Sequence, residues 1–195
     1  ALERSGIRTF EDLLRWDREG LMVRFGSMGE RLWHLARGED HRRVTRNAPV
    51  KSISNETTFH ENTKDPDILD GHLWRMSEKV ADRAKAKGLA GRVVVLKVKR
   101  SDFKLITRRH ALGDATQMAD RIYRTARAMF DQLGAGVSYR LLGTGISELV
   151  PAEQADRLGD LLDPQAEKRA SAERATDAIR ARFGNEAIVK GRALR

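Results

Sequence analysis

The middle of the chain alternates between strand-like and helix-like patterns in one fixed order, and this order limits the folds open to it. The segments that carry these patterns are 50–59, 65–88, 91–100, 103–112, 116–134 and 139–150. The first, third, fourth and sixth have the short, β-branched or alternating character of strands, whereas the second and fifth place apolar residues on one helical face. The order βαββαβ predicts an α+β fold with four strands in one sheet and both helices on a single face of it.

Alternation along the predicted strands indicates which side chains stand on the face that the helices leave open. On the first strand, Ile53 and Phe59 are expected to point inward, and on the second and last strands Val94, Leu96, Val98, Leu142, Thr144 and Ile146. The outward residues are then Ser52, Ser54, Glu56 and Thr58, then Lys97 and Lys99, and finally Gly143, Gly145 and Ser147. The third strand is ambiguous, because either register exposes one of Arg108 and Arg109.

Positive charge is concentrated on these strands. The chain has 37 Lys and Arg against 28 Asp and Glu, a net charge of +9. Residues 91–113 contain seven basic residues and the single acid Asp102. Charge, small hydroxyls and glycines on one face suit a nucleic-acid backbone, and the scarcity of aromatic residues there favours duplex phosphates over stacked single-stranded bases. The alternative is that the basic stripe is only a solvated surface.

The rest of the chain divides into a helical start and a helical tail. Residues 1–40 are predicted to form two short helices, begun by the capping pairs Thr9/Asp12 and Ser27/Glu30, as part of a larger helical unit. Residues 41–49 are interpreted as a linker, 50–151 as the sheet domain and 152–195 as a tail. The tail has a helix start at Asp163 and Pro164 and a stop at Gly184, with a thin apolar side that predicts either weak docking or a solvated helix.

Composition excludes several kinds of site. There is no cysteine, hence no disulfide or thiol chemistry, and the five histidines never fall in an HxH or HxxxH pattern, so no metal site is predicted. Asp65, Asp67 and Asp70 stand where helix capping explains them. The longest apolar run, VVVL at 93–96, is far too short to span a bilayer, and we expect a cytoplasmic, monomeric protein without membrane contact.

Five strings in order resemble the little-finger domain of Y-family translesion DNA polymerases. They are VKSISNETTF, the helix start DPDIL, LKVKR, LITRRHAL and YRLLGTGISEL, within residues 50–151. Upstream, SGIRTFEDLLRW and FGSMGERLWHLARGED resemble the end of that family's thumb. The resemblance covers about three quarters of the chain.

The resemblance implies a DNA-binding role. In this family the little finger lies in the major groove of the template–primer duplex and contacts backbone phosphates of both strands. Matched by position, Ser52, Ser54 and Thr58 would face phosphates and Lys97, Lys99 and Arg108 would supply charge. Gly143, Gly145 and Ser147 would lie against the DNA backbone.

The family's catalytic carboxylates are missing from this sequence. In the family, magnesium is held in the palm by paired aspartates before two phenylalanines and by a Ser-x-Asp-Glu motif, and neither pattern occurs here. We therefore expect no catalytic residue, no cofactor in this chain and no polymerase activity from the chain alone.

The tail contains a loose match to the clamp-binding peptides of bacterial polymerases, within QADRLGDLLDP at 154–164. Leu158, Asp160, Leu161 and Leu162 would be its anchors, although the first anchor and the last aromatic residue of such peptides are both altered. Three functional hypotheses stay open at this point: a DNA-binding part of a translesion polymerase, an interaction module that recruits a polymerase to the sliding clamp, and a self-sufficient enzyme. The last has no nucleophile or phosphate loop to support it.

Overall fold

The computed structural model describes residues 1–44, 49–134, 136–156 and 165–191, without the side chain at position 185. The chain divides into two compact units, Ala1–Ala48 and Pro49–Arg195. The predicted linker over 41–49 lies across this division, and part of it, 45–48, is outside the described residues.

The first unit contains three short helices, α1 (Phe10–Leu14), α2 (Arg18–Phe25) and α3 (Ser27–Ala36), where the sequence predicted two. The capping box of Thr9 and Asp12 is confirmed at the start of α1. The prediction that Ser27 and Glu30 cap the next helix was wrong. Helix α3 begins after Gly26 without a side-chain cap, and Glu30 bonds to Arg18 instead. Ile7, Leu13 and Leu21 form the small core of this unit.

The second unit is built on one antiparallel sheet, which confirms the predicted α+β architecture. Its strands are β1 (Ser52–Thr63), β2 (Leu89–Arg100), β3 (Leu105–Thr116) and β4 (Tyr139–Pro151). Their order across the sheet is β1-β4-β2-β3, so β4 and β2 are central while β1 and β3 form the edges. Among the described residues each edge strand has one pairing partner, so the backbone groups along the outer side of β3 lie outside the ladder.

Helices α4 (Pro66–Ala86) and α5 (Ala119–Asp131) both cover the same face of this sheet. Asp65 caps α4 by accepting hydrogen bonds from the backbone N–H groups of Asp67 and Ile68, and Pro66 begins the helix, both as predicted. The inward residues predicted from periodicity are buried in one core: Ile53, Leu69, Leu73, Met76, Val80, Ala84, Val94, Leu96, Val98, Ile122, Ala126, Met129, Leu142 and Ile146. Thr144 shares that face and its hydroxyl donates to the Val95 carbonyl.

The tail helix α6 (Ala166–Phe183) contacts α4 and α5 through charged groups, whereas Ile179 and Phe183 of its thin apolar side remain 38% and 66% exposed. Glu173, only 4% exposed, accepts hydrogen bonds from the backbone N–H groups of Ala119 and Asp120 at the start of α5. Its carboxylate also bonds to Lys85 of α4 at 2.8 Å. Burial tends to lower the pKa of the Lys85 ammonium, but Glu173 and Asp177 together raise it above its usual value. Periodicity could not reveal this contact, because it involves no apolar stripe.

Two further ion pairs fix the two ends of α6. Arg169 bonds to Asp120 at 2.9 Å, and Arg180 bonds to Glu78 of α4 at 3.1 Å. Helix α6 ends at Phe183 before Gly184, as predicted, whereas the expected start at Asp163 and Pro164 lies outside the described residues. Among the helices that the structure describes, none combines the length and apolar character needed to cross a bilayer.

Candidate nucleic-acid interface

The sheet has an open face, which we define as the face opposite α4 and α5, and cross-strand pairing shows which residues share it. Side chains of directly paired residues stand on the same side of a sheet. One row across the open face runs Ser54, Gly145, Val95 and Arg109, and the next runs Glu56, Gly143, Lys97 and Thr107. A row on one side of these contains Ser52, Ser147 and Val93, and the row on the other contains Thr58, Leu141 and Lys99.

The structure places eight of the nine predicted DNA-contact residues on this face, and Arg108 is the exception. Arg108 pairs with Leu96, which is fully buried beneath the helices, so its backbone position belongs to the opposite face. Arg109 pairs with Val95 and takes the place on the open face that the sequence analysis gave to Arg108. Alternation left the choice between Arg108 and Arg109 open, because Leu105 and Ala111 are apolar on one parity while Ile106 and Leu112 are apolar on the other; the choice of Arg108 came from the family resemblance.

The open face carries hydroxyls on one edge. Ser52, Ser54 and Thr58 of β1 are all exposed there. On the neighbouring β4, the Ser147 hydroxyl is buried and has no hydrogen-bond partner within the described part of the chain. The exposed hydroxyls of β1 can donate to phosphate oxygens, since each carries a hydrogen that rotates toward an acceptor.

Two cations of the open face are already paired with carboxylates. Lys97 Nζ lies 2.7 Å from an oxygen of Glu56, and Arg109 Nη2 lies 2.9 Å from an oxygen of Glu148. All four side chains are between 39% and 59% exposed, so each pair is worth about 0–1 kcal/mol and can be exchanged for a phosphate at little cost. Glu56 and Glu148 hold Lys97 and Arg109 over the sheet, but their negative charges also reduce the net positive potential of the open face.

The glycines of β4 have a packing reason to be glycine. A Cβ at Gly143 would lie 2.7 Å from Cβ of Glu56, and one at Gly145 would lie 2.6 Å from Cβ of Ser54. Both glycines are buried, and their strand is paired on both sides. Their backbone groups therefore belong to the sheet ladder, and the glycines let the side chains of β1 lean across β4.

A cluster at one end of the open face was missed by the sequence analysis. Phe103, in the turn between β2 and β3, is 61% exposed and has a left-handed backbone with φ of 64°. Lys99 Nζ lies 5.0 Å from the centre of its ring and Arg140 Cζ lies 5.2 Å from it. Arg140 lies beside an irregularity in the β2–β4 pairing, between Tyr139 and Leu141, so simple alternation could not assign it to a face.

The acidic residues singled out in the sequence act as structural groups. Asp65 caps α4 as predicted. The capping interpretation of Asp70 was wrong, because Asp70 lies inside α4 and accepts hydrogen bonds from the Tyr123 hydroxyl and, at 2.8 Å, from Arg127 of α5. These two carboxylates therefore do not form the paired-aspartate arrangement that would hold catalytic magnesium. The predicted clamp-binding residues Leu158, Asp160, Leu161 and Leu162 lie outside the described residues.

Comparison with solved structures identifies the class of fold. The structure is similar to a Y-family DNA polymerase chimera with a TM-score of 0.53 and 18% sequence identity. The similarity covers 77% of this chain and 43% of that chain. A four-stranded antiparallel sheet with helices on one face is thus the fold of a domain that occurs in Y-family DNA polymerases.

Residues 50–159 match the C-terminal domain of the impB/mucB/samB family, and the chain belongs to that family. It is 48% identical over 190 residues to DNA polymerase IV 1 of Mesorhizobium japonicum and 46% identical over 190 residues to DNA polymerase IV of Brucella melitensis. Each alignment covers 97% of this chain, but only 43% and 42% of the respective relative. The predicted resemblance to the C-terminal part of a Y-family polymerase is confirmed, and the chain spans less than half the length of these relatives.

Proposed function

We propose that the second unit binds the backbone of duplex DNA through the open face of its sheet, as the DNA-binding part of a translesion polymerase. The observation that carries this proposal is the shared face of Lys97, Lys99 and Arg109 with the hydroxyls of β1. Phosphate contacts from basic and hydroxyl side chains position a protein on DNA without reading its sequence, which suits a polymerase that must move along any template.

The dimensions of the sheet support contact with both strands of a duplex. Three interstrand spacings of about 4.8 Å separate β1 from β3, so the sheet is about 14 Å wide. The major groove of B-form DNA is about 12 Å wide. The hydroxyls of Ser52 and Ser54 on one edge and the guanidinium of Arg109 on the other therefore reach phosphates on opposite sides of the groove.

A pair of triple variants tests this proposal. Lys97, Lys99 and Arg109 are replaced by alanine in one, and Lys79, Lys87 and Arg108 in the other, which removes the same charge from α4 and from the opposite face. Binding to a fluorescently labelled primer–template duplex is then measured by anisotropy. We expect a large loss of affinity in the first variant only, and equal wild-type affinity for duplexes of different sequence. An equal loss in both variants would show that net charge alone attracts the DNA.

We further propose that the chain binds DNA without catalysing nucleotide addition. Its DNA polymerase IV relatives are more than twice as long, and magnesium chemistry belongs in this family to a palm whose carboxylate motifs this sequence does not contain. Incubation of the chain with magnesium, dNTPs and a primer–template tests this directly. No extension is expected, and extension that survives removal of contaminating polymerase would overturn the proposal.

Docking to a sliding clamp is the alternative function. It depends on the sequence string around Leu158, Asp160, Leu161 and Leu162 alone. The two functions are separable, because the alanine triple on the open face should remove DNA binding and leave clamp binding unchanged.

A further inference from the structure

The end of α3 brings together two histidines and a glutamate that are separated in the sequence. The donor atoms of His34, Glu39 and His41 all lie within 4.8 Å of one another. All three belong to the first unit, and none takes part in the DNA-binding face. We propose that they form a binding site for one divalent transition-metal ion of the zinc class.

The backbone at this helix end fixes two of the ligands. Gly38 has a left-handed φ of 76°, its N–H donates to the Leu35 carbonyl at 3.1 Å, and the Glu39 N–H donates to the His34 carbonyl at 3.0 Å. This is the Schellman pattern, in which the residues at the positions of His34 and Glu39 meet and usually make an apolar contact. Here the two positions hold metal-ligand side chains instead, with His34 Nδ1 2.8 Å from Glu39 Oε2.

The third ligand is placed beside this pair but is not bonded to it. His41 Nε2 lies 3.8 Å from Glu39 Oε2, which is too long for a hydrogen bond. The rings of His34 and His41 meet edge to face, with centroids 5.3 Å apart. The hydrogen bond engages only His34 and Glu39, whereas an ion between the donor atoms would engage all three side chains.

Two of the three donor–donor distances lie near the value that a tetrahedral ion requires. Zinc binds imidazole nitrogen and carboxylate oxygen at about 2.0–2.2 Å, so its ligand atoms stand about 3.3 Å apart. The observed separations of 2.8 Å and 3.8 Å lie on either side of this value. His41 has a side chain 77% exposed and Glu39 one 45% exposed, so both can rotate by the small amount needed.

The ligand types select the kind of ion. Two imidazoles and one carboxylate favour zinc, nickel or copper over magnesium or calcium, which prefer oxygen ligands. Three protein ligands leave a fourth position for water. Two neighbouring arginines have other contacts: Arg42 bonds to Asp40, and Arg37 stacks on Trp33 and donates to its carbonyl. A bound ion would tie the end of α3 to the residues that follow it.

Titration of the untagged, chelator-stripped chain with zinc tests the proposal by calorimetry. We expect one ion per chain and no comparable binding of magnesium. His41→Ala should weaken zinc binding at least tenfold, since even removal of groups that only orient a ligand costs 10–100-fold in affinity. His110→Ala, which removes another exposed histidine, should leave the affinity unchanged.

Cobalt gives an independent readout of the same site. Cobalt in a tetrahedral site has a visible absorption band, which we expect in the wild type and in His110→Ala but not in His41→Ala or Glu39→Gln. Because Glu39 and His41 are exposed, the variants should retain the wild-type circular dichroism spectrum. Zinc affinity that is equal in the wild type and in His41→Ala, or an absence of zinc binding, would overturn the proposal.

Discussion

Replacement of Glu173 by alanine should destabilise the second unit far more than its position in a polar tail helix suggests. The carboxylate accepts hydrogen bonds from the N–H groups of Ala119 at 2.8 Å and Asp120 at 3.1 Å. The residue that precedes α5, Met118, offers no side-chain cap of its own. Glu173 therefore serves as the cap of a helix that lies 53 or 54 positions away in the chain.

The magnitude follows from the two roles of this carboxylate. Loss of a helix cap costs about 0.5–2 kcal/mol. Removal of one partner from a buried ion pair costs about 3–5 kcal/mol; here the cost is smaller, because Lys85 is 22% exposed and keeps Asp177 at 2.6 Å. We expect a total near 3 kcal/mol, which lowers the melting temperature of a domain of this size by about 6–12 °C.

The assay must report on the second unit alone. Trp74 is 2% exposed in its core, whereas Trp16 and Trp33 belong to the first unit. Urea unfolding followed by fluorescence in a Trp16→Phe/Trp33→Phe background therefore isolates the signal of Trp74. The measurement is made at pH 7, where the contribution of the Lys85 ammonium is complete, since it is lost only as the pH rises above about 10.4 toward the raised folded pKa.

Glu167→Ala provides the matched control on the same helix. Glu167 is exposed in the first turn of α6, and its replacement should change stability by less than about 0.5 kcal/mol. If Glu173→Ala is no more destabilising than Glu167→Ala, the capping and docking role of α6 is refuted.

Three further predictions concern the open face, the core and the tail. Glu56→Gln should strengthen duplex binding several-fold in anisotropy titrations, because Lys97 would then contact a phosphate without first giving up its ion pair with the Glu56 carboxylate. Weaker binding would show that Glu56 positions Lys97. Burial, with help from neighbouring cations, lowers the pKa of His72, so the unfolded chain takes up the proton first and stability should fall as the pH drops below about 6.5. The loss of stability between pH 7.5 and pH 5.5, measured by urea unfolding, should be smaller in His72→Gln than in the wild type. An equal loss in both proteins would contradict this role of His72. Replacement of Leu161 and Leu162 by alanine should abolish sliding-clamp binding in surface plasmon resonance, and unchanged binding would exclude this peptide.

The sheet and its two covering helices could be predicted because their inward residues obey one period each. Ile53 stands between Ser52 and Ser54 and Val98 between Lys97 and Lys99, and burial of one face fixes the register of their strands. The apolar residues of strand β3 do not follow one alternation period. It is an edge strand that the helices cover only in part, so apolar residues occur on both of its faces. Alternation could therefore not decide between Arg108 and Arg109.

The contacts that sequence patterns missed are those between distant charged groups. The bond between Lys85 and Glu173 joins residues 88 positions apart, and neither belongs to an apolar stripe. The pairing of Lys97 with Glu56 similarly depends on strand order, which places β4 between β1 and β2 yet leaves these long side chains within reach across Gly143. The cluster of His34, Glu39 and His41 was hidden because its ligands lie on both sides of a helix end.

The salt dependence of duplex binding tests the central claim most directly. Each phosphate contact contributes about −0.9 to the slope of log affinity against log salt concentration. Titrations of a primer–template at several salt concentrations should give a slope of several units for the wild type. The slope should be shallower by about two to three units when Lys97, Lys99 and Arg109 are alanine, and unchanged when Lys79, Lys87 and Arg108 are. Equal slopes for the wild type and the open-face variant would contradict the account.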